Sequence, residues 1–251
     1  MEGMKYMAPR PDEQEYDLLP LTRTRAAIGQ RTVESVTTQP QFILWNDVDC
    51  TNLIAVREAI KAAKPEIVPT YNDLLIKIVA GVLREHPGFN AWWSDDGMHL
   101  LKRVNVGFAV ATDEGVLLPT ILDADVKNLY DIAREAHDMV AMARVRKLRA
   151  SLQMGAGFTI SNIGPVGIDG FNGIVSTGQA GILAIGSMKK RAVVRAVKDA
   201  TTGEETDAVV VRATMTLTLT VDHRMADGAD GAAFLAALSH AIESVTETVA
   251  R

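Results

Sequence analysis

The sequence predicts an α/β fold: a two-layer sandwich in which a mixed β-sheet carries helices on one side. Three observations predict it. From Thr214 to Val221 apolar and polar residues alternate without a break, with Met215, Leu217, Leu219 and Val221 on one face and threonines on the other. A period of two with β-branched residues describes a half-buried strand. From Tyr71 to Glu85 the spacing switches to that of a helix, with Leu74, Leu75, Ile78, Val79 and Val82 on the core side. Strand-like and helix-like segments then follow one another with no repeat, low-complexity block or internal linker, as in a single α/β domain.

The elements follow in order. Residues 1–17 mix prolines with acidic residues and read as a flexible arm, leaving 18–251 as the folded domain. Thr22 is placed to cap a helix punctuated by Arg23, Arg25 and Arg31. Gln41 to Asp49 reads as a strand, and Thr51 or Asn52 caps the helix that runs to Lys64. After the Tyr71–Glu85 helix, His86-Pro87-Gly88 stops the ladder. The turn Ser94-Asp95-Asp96-Gly97 predicts a short hairpin. Val104 to Ala111 and Gly115 to Ile121 read as two more strands, and Asn128 to Arg149 as a helix ending in basic side chains. Gly157 to Ser161 and Ala180 to Met188 are apolar strands separated by a loop dense in turn formers. A hairpin turn at Thr201 to Glu205 leads into the long strand, and an apolar helix from Ala232 to Val249 closes the chain.

Composition narrows the function classes. The 251 residues are 47% hydrophobic and 23% charged, with a net charge of −5, which points away from a nucleic-acid partner. The sequence has no 18-residue apolar run and no secretory signal, so neither a membrane span nor export is expected, and a cytoplasmic location is. The single cysteine, Cys50, cannot form an internal disulfide and reads as a core residue. No Cys/His cluster has metal-ligand spacing, and no metal is expected. The chemistry concentrates instead at the end of the long strand, in Asp222-His223-Arg224-Met225-Ala226-Asp227-Gly228. A histidine carried there can take up and return a proton near neutral pH, and so can activate a thiol or hydroxyl. An oxyanion formed by that attack needs a donor, for which Thr159, Ser161 and Asn162 are candidates.

The His223 segment resembles the active-site segment of the catalytic domain of dihydrolipoyl acyltransferases, the core components of 2-oxo acid dehydrogenase complexes. The likeness extends along the chain: Leu21, Arg25, Ile28 and Arg31 in the first helix, Asn72-Asp73 through Lys77, His86-Pro87 with Asn90-Ala91, Val104 through Thr112, Gly115 through Pro119, Phe158 through Asn162 with Gly164, and Ile182-Leu183 with Gly186. The resemblance implies a fold like chloramphenicol acetyltransferase, a homotrimer with active sites between subunits, and acyl transfer between coenzyme A and dihydrolipoamide without an acyl-enzyme. It implies His223 as general base and Ser161, from a neighbouring subunit, as oxyanion donor. Asp227 would orient the loop by pairing with an arginine such as Arg25 or Arg31. Thr159 and Asn162 are expected at the coenzyme A site.

Three departures qualify the resemblance. Only a short arm precedes Leu18, with no lipoylation hairpin, so dihydrolipoamide is expected in trans, on a lipoyl-carrying protein or a partner in a 2-oxo acid dehydrogenase complex. The end of the chain lacks the family's Pro- and Leu-rich tail, so a free trimer is expected. Thr177-Gly178-Gln179 and Met225-Ala226 differ from the family's usual prolines and branched pair. Two other readings remain at this stage: a standalone coenzyme A-dependent acyltransferase with a different small acceptor, and a trimeric scaffold without turnover.

Overall fold

The computed structural model describes residues 15–198 and 203–250. In chain order its elements are α1 (Arg23–Thr38), β1 (Gln41–Asp49), α2 (Thr51–Ala62), α3 (Tyr71–Glu85), β2 (Ala91–Ser94), β3 (Gly97–Leu100), β4 (Val106–Phe108) and β5 (Val110–Thr112). Then follow β6 (Gly115–Leu117), β7 (Thr120–Ile121), α4 (Leu129–Arg144), β8 (Phe158–Asn162), β9 (Gly181–Ile185), β10 (Lys189–Lys198), β11 (Glu205–Asp222) and α5 (Gly228–Glu243).

β11 is the axis. Its second half pairs antiparallel with β1 on one side and β9 on the other, and its first half pairs with β10 alone. Beyond β9 the sheet continues through β8 and β4, with β9, β8 and β4 parallel to one another, to β7, which is antiparallel to β4. The sheet is therefore mixed, as expected. Helices α2, α3, α4 and α5 pack together on one face. Met215, Leu217, Leu219 and Val221 point into that core and are fully or almost fully buried. α1 stands apart: its Ser35 hydroxyl donates to Val175 O, and Gln41 donates to the same hydroxyl.

The threonine face is not open to solvent. The segment 163–179 lies over it, with Gly170 against Thr216 and Thr218, so Thr214, Thr218 and Thr220 are buried as well. Alternation alone could not reveal this cover, because threonine suits both a solvated and a covered strand face.

Several boundaries differ from the sequence reading, each for a local reason. The strands expected over Val104 to Ala111 and Gly115 to Ile121 each break in two. Pro119 has no N–H to give to a ladder, and Ala109 donates to Ile160 O instead of across the hairpin. The inner halves, β4 and β7, stay in the main sheet, while β5 and β6 form a separate ribbon. α4 ends at Arg144 rather than Arg149, because Arg146 takes a left-handed conformation (φ 58°). α2 likewise ends at Ala62, ahead of Lys64 at φ 51°. Its start is held by Asp49, whose carboxylate accepts from the Thr51 amide and hydroxyl. α5 starts at Gly228, four residues earlier than expected, and its regular part stops at Glu243. Its N-terminal turn lies so close to β1 that a Cβ on Gly231 would come within 2.7 Å of Leu44 Cδ1, which accounts for glycine there. Of the expected arm, residues 1–14 lie outside the described residues, as do Thr201 and Thr202 of the expected hairpin turn.

The core is tied together by Phe234 of α5. Its ring stacks on Phe89 (centroids 4.2 Å apart) and meets Phe158 of β8 and His86 at the end of α3 edge-on. Phe234→Ala should therefore cost about 3–5 kcal/mol of unfolding free energy in a denaturant titration. A loss of less than 1 kcal/mol would show that the helix layer does not depend on this ring.

Candidate active site

The last residue of β11, Asp222, is completely buried. A carboxylate without water needs donors, and the chain supplies them from two directions. Arg224 folds back so that Nε lies 3.0 and 3.1 Å from Oδ1 and Oδ2, Nη2 lies 2.6 Å from Oδ2, and its backbone N lies 3.0 Å from Oδ1. Gln39, at the end of α1, donates Nε2 to Oδ2 at 3.0 Å. Burial pushes the Asp222 carboxyl up, but these donors more than offset it and hold the carboxyl below its ordinary value. The guanidinium of Arg224 also lies over the indole of Trp93, 5.0 Å from the ring centroid.

This closed turn leaves His223 pointing outward. Its backbone N–H donates to Pro40 O at 2.8 Å, and its ring sits 4.7 Å from that of Phe42, tilted by 51°. The imidazole is exposed, and no side chain among the described residues hydrogen-bonds to it. It lies one residue beyond the strand rather than on it.

Asp227 does not pair with Arg25 or Arg31 within this chain. Its Oδ1 accepts from the amides of Ala229 (2.8 Å) and Asp230 (3.0 Å), and Asp230 accepts in return from the Asp227 amide. This capping box starts α5 and engages one oxygen of the carboxylate, Oδ1. The two amides, with a smaller contribution from the charge of His223, hold the Asp227 carboxyl below its ordinary value.

The oxyanion candidates fare differently. Thr159 is 1% exposed, and its hydroxyl donates to Gln179 Oε1 at 2.8 Å. It is an interior link with no free surface for a ligand, which corrects the expectation that it binds coenzyme A. Asn162 Oδ1 accepts from the Gly164 amide and closes the turn after β8. Ser161 is half-buried, and its hydroxyl has no side-chain partner among the described residues. It stands in register with Ala184 and, through it, with Thr218. His223 is five residues further along β11 and two strands across, a separation of roughly 19 Å at ordinary strand dimensions. One copy of the chain therefore does not bring Ser161 and His223 together.

Cys50 is buried, and its thiol is pushed up to about 12 chiefly by burial, so it is no nucleophile. Among the described residues no group of three or more His, Cys, Asp or Glu could hold a metal, and no helix is long and apolar enough to cross a membrane. Sequence reasoning quoted Asp222 and Arg224 without giving them a role, and it missed Gln39, Phe42 and Trp93. The alternating Asp-His-Arg was a signal for the pair; nothing local marks the other three.

Comparison with known proteins agrees with this geometry. The family model for the 2-oxoacid dehydrogenases acyltransferase catalytic domain matches residues 13–250. The dihydrolipoyllysine-residue acetyltransferase component of the pyruvate dehydrogenase complex of Rickettsia bellii is 38% identical over 92% of this chain and 54% of its own length. The chain thus spans about half the length of that relative. Among solved structures, a dihydrolipoamide acetyltransferase from Azotobacter vinelandii is 30% identical, with a TM-score of 0.85 over 96% of this chain and 98% of its own. It was solved to examine a serine, a histidine and an asparagine in its catalytic mechanism. The cubic core of the pyruvate dehydrogenase multienzyme complex is 31% identical, with the same TM-score and coverage.

Two outcomes test the site's electrostatics. Asp222 has a depressed folded-state pKa, so the unfolded chain binds its proton first. The pair's contribution to stability is present above the ordinary value of 3.8 and is lost as pH falls below it. Asp222→Asn should lower the unfolding free energy at pH 7 by about 2–3 kcal/mol and flatten the loss of stability as pH falls below 3.8. For Asp227, asparagine can still cap the helix, so Asp227→Asn should unfold close to the native protein while Asp227→Ala loses about 1 kcal/mol. Equal losses in chemical denaturation would refute the capping role.

Proposed function

From the chain's membership of the 2-oxoacid dehydrogenase acyltransferase family, shown by the match over residues 13–250, we propose that it transfers an acyl group between coenzyme A and the thiol of dihydrolipoamide. The observation that carries this reading is the exposed His223, held at the end of β11 by a buried Asp222–Arg224 pair. The imidazole takes the proton of the incoming thiol, and the thiolate attacks the carbonyl carbon of the bound thioester. The negative charge passes to the carbonyl oxygen in a tetrahedral intermediate. Its collapse expels the other sulfur, which recovers the proton from the imidazolium. No bond to the protein forms at any stage.

The oxyanion is stabilised by the hydroxyl of Ser161 from a second copy. The separation of Ser161 and His223 within one chain supports a site built between subunits, and a homotrimer provides three of them. Asp227 starts α5 and places a negative charge where it favours the imidazolium. Asn162 shapes the turn beside Ser161 at the coenzyme A site. Dihydrolipoamide arrives on a lipoyl-carrying protein, with the components of a 2-oxo acid dehydrogenase complex as partners in the cytoplasm.

The test is acyl transfer from acyl-coenzyme A to dihydrolipoamide by the purified protein. His223→Ala should abolish turnover, and Ser161→Ala should lower kcat by about 100-fold or more. Trimers assembled from a mixture of the two variants should regain activity, because some interfaces then combine a native His223 with a native Ser161. No recovery on mixing would place both residues in one subunit's site or remove Ser161 from the chemistry.

A further inference from the structure

The pair that holds His223 is itself held, by residues far away in the chain. On one side the indole of Trp93 covers the Arg224 guanidinium. Trp93 does not float there: its amide donates to Gly178 O at 2.8 Å, and Trp92 bridges to Gln179. Gly178 sits at φ +88°, and a Cβ on it would lie 2.5 Å from the Trp92 ring, so the hairpin β2–β3 is pressed against this loop without slack. On the other side Gln39, 2% exposed, donates to Asp222, and the carbonyl of the next residue, Pro40, accepts the backbone N–H of His223. The turn from Asp222 to Arg224 is thus gripped from the hairpin and from the end of α1.

We propose that Trp93 and Gln39 are positioning residues for His223, acting through the Asp222–Arg224 pair and touching no substrate themselves. The proposal rests on the acyl-transfer reading above. A flat guanidinium with its edge on a carboxylate and its face on an indole has one orientation, and an ammonium in its place would have many. Fixing Arg224 fixes the turn, and fixing the turn fixes the direction in which the imidazole leaves it. A general base displaced by about 1 Å loses rate steeply, while substrate affinity, set elsewhere, stays. The signature of this role is a fall in kcat with KM unchanged.

The experiment uses the full chain and the coenzyme A to dihydrolipoamide assay. Trp93→Leu should lower kcat about tenfold and leave both KM values within about twofold. Trp93→Phe, which keeps an aromatic face, should recover most of that loss. Gln39→Met, which keeps the length but removes the donor, should give the same kcat-only fall and serves on its own should Trp93→Leu not fold. In a His223→Ala background Trp93→Leu should bring no further loss of residual transfer. Equal losses for Phe and Leu, a rise in KM, or additive losses in the His223→Ala background would overturn the proposal. Full activity of His223→Ala itself would instead defeat the acyl-transfer reading, a result distinct from any of these.

Discussion

A carboxylate with no contact to water is the constraint on which the functional end of this molecule depends. Ionised and unpaired, Asp222 would be prohibitively costly at the base of a strand, and the surrounding chain is arranged to prevent that. Arg224 reverses direction to reach it, which closes a turn of three residues. α1 ends where Gln39 can supply a third side-chain donor. The hairpin β2–β3 brings an aromatic face over the cation. A turn closed in this way leaves its middle side chain no inward direction, and His223 therefore projects outward, against Phe42. The exposed catalytic candidate follows from the buried ionic pair beside it.

β11 makes the rest of the molecule consistent with that arrangement. One face of its second half carries the apolar core against α2 to α5, and the other lies under the segment 163–179. A strand buried on both faces cannot slip by a residue without exchanging its threonines and its leucines, so its register is strongly held. That register decides where the strand stops and the turn begins. It also decides that Ser161, two strands over, lies level with Thr218, short of the end of β11 from which His223 projects. The distance between Ser161 and His223 is a property of the sheet, which no loop movement within one copy removes.

How much of this could be read from the sequence depended on whether the cause was local. β1 and α3 begin and end where the run from Gln41 to Asp49, the helical spacing from Tyr71 and the stop at His86-Pro87-Gly88 placed them, because those signals act within a few residues. The strand through Ala109 was read as continuous because its break depends on Ile160, far along the chain, whereas the local signal of Pro119 was passed over. His223 and Ser161 were legible through the family pattern. Asp227 was read for a pairing with an arginine and not for its capping box, although an aspartate followed by a second acid three residues on is the mark of one. Thr159 was taken for a ligand-facing residue on the strength of its hydroxyl; here Gln179 reaches that hydroxyl from another loop. Trp93 and Gln39 carry no local signal, since their roles exist only once a hairpin and a helix end have been folded onto the same arginine.

The way His223 is held also bears on what it can activate. Among the described residues no carboxylate hydrogen-bonds its ring, and Asp227 caps the start of α5 through Oδ1. A serine hydroxyl, with a pKa far above that of imidazole, is usually activated with the help of such a carboxylate, which orients the ring and stabilises the imidazolium. A thiol ionises near 8.5 and is already within about two units of an ordinary histidine at about 6.5. For that acceptor the requirement is aim more than added basicity, and aim is what the Asp222–Arg224 turn supplies. In the proposed thiol-to-thiol transfer, the part of the Asp222–Arg224 turn is thus to aim the imidazole rather than to raise its basicity.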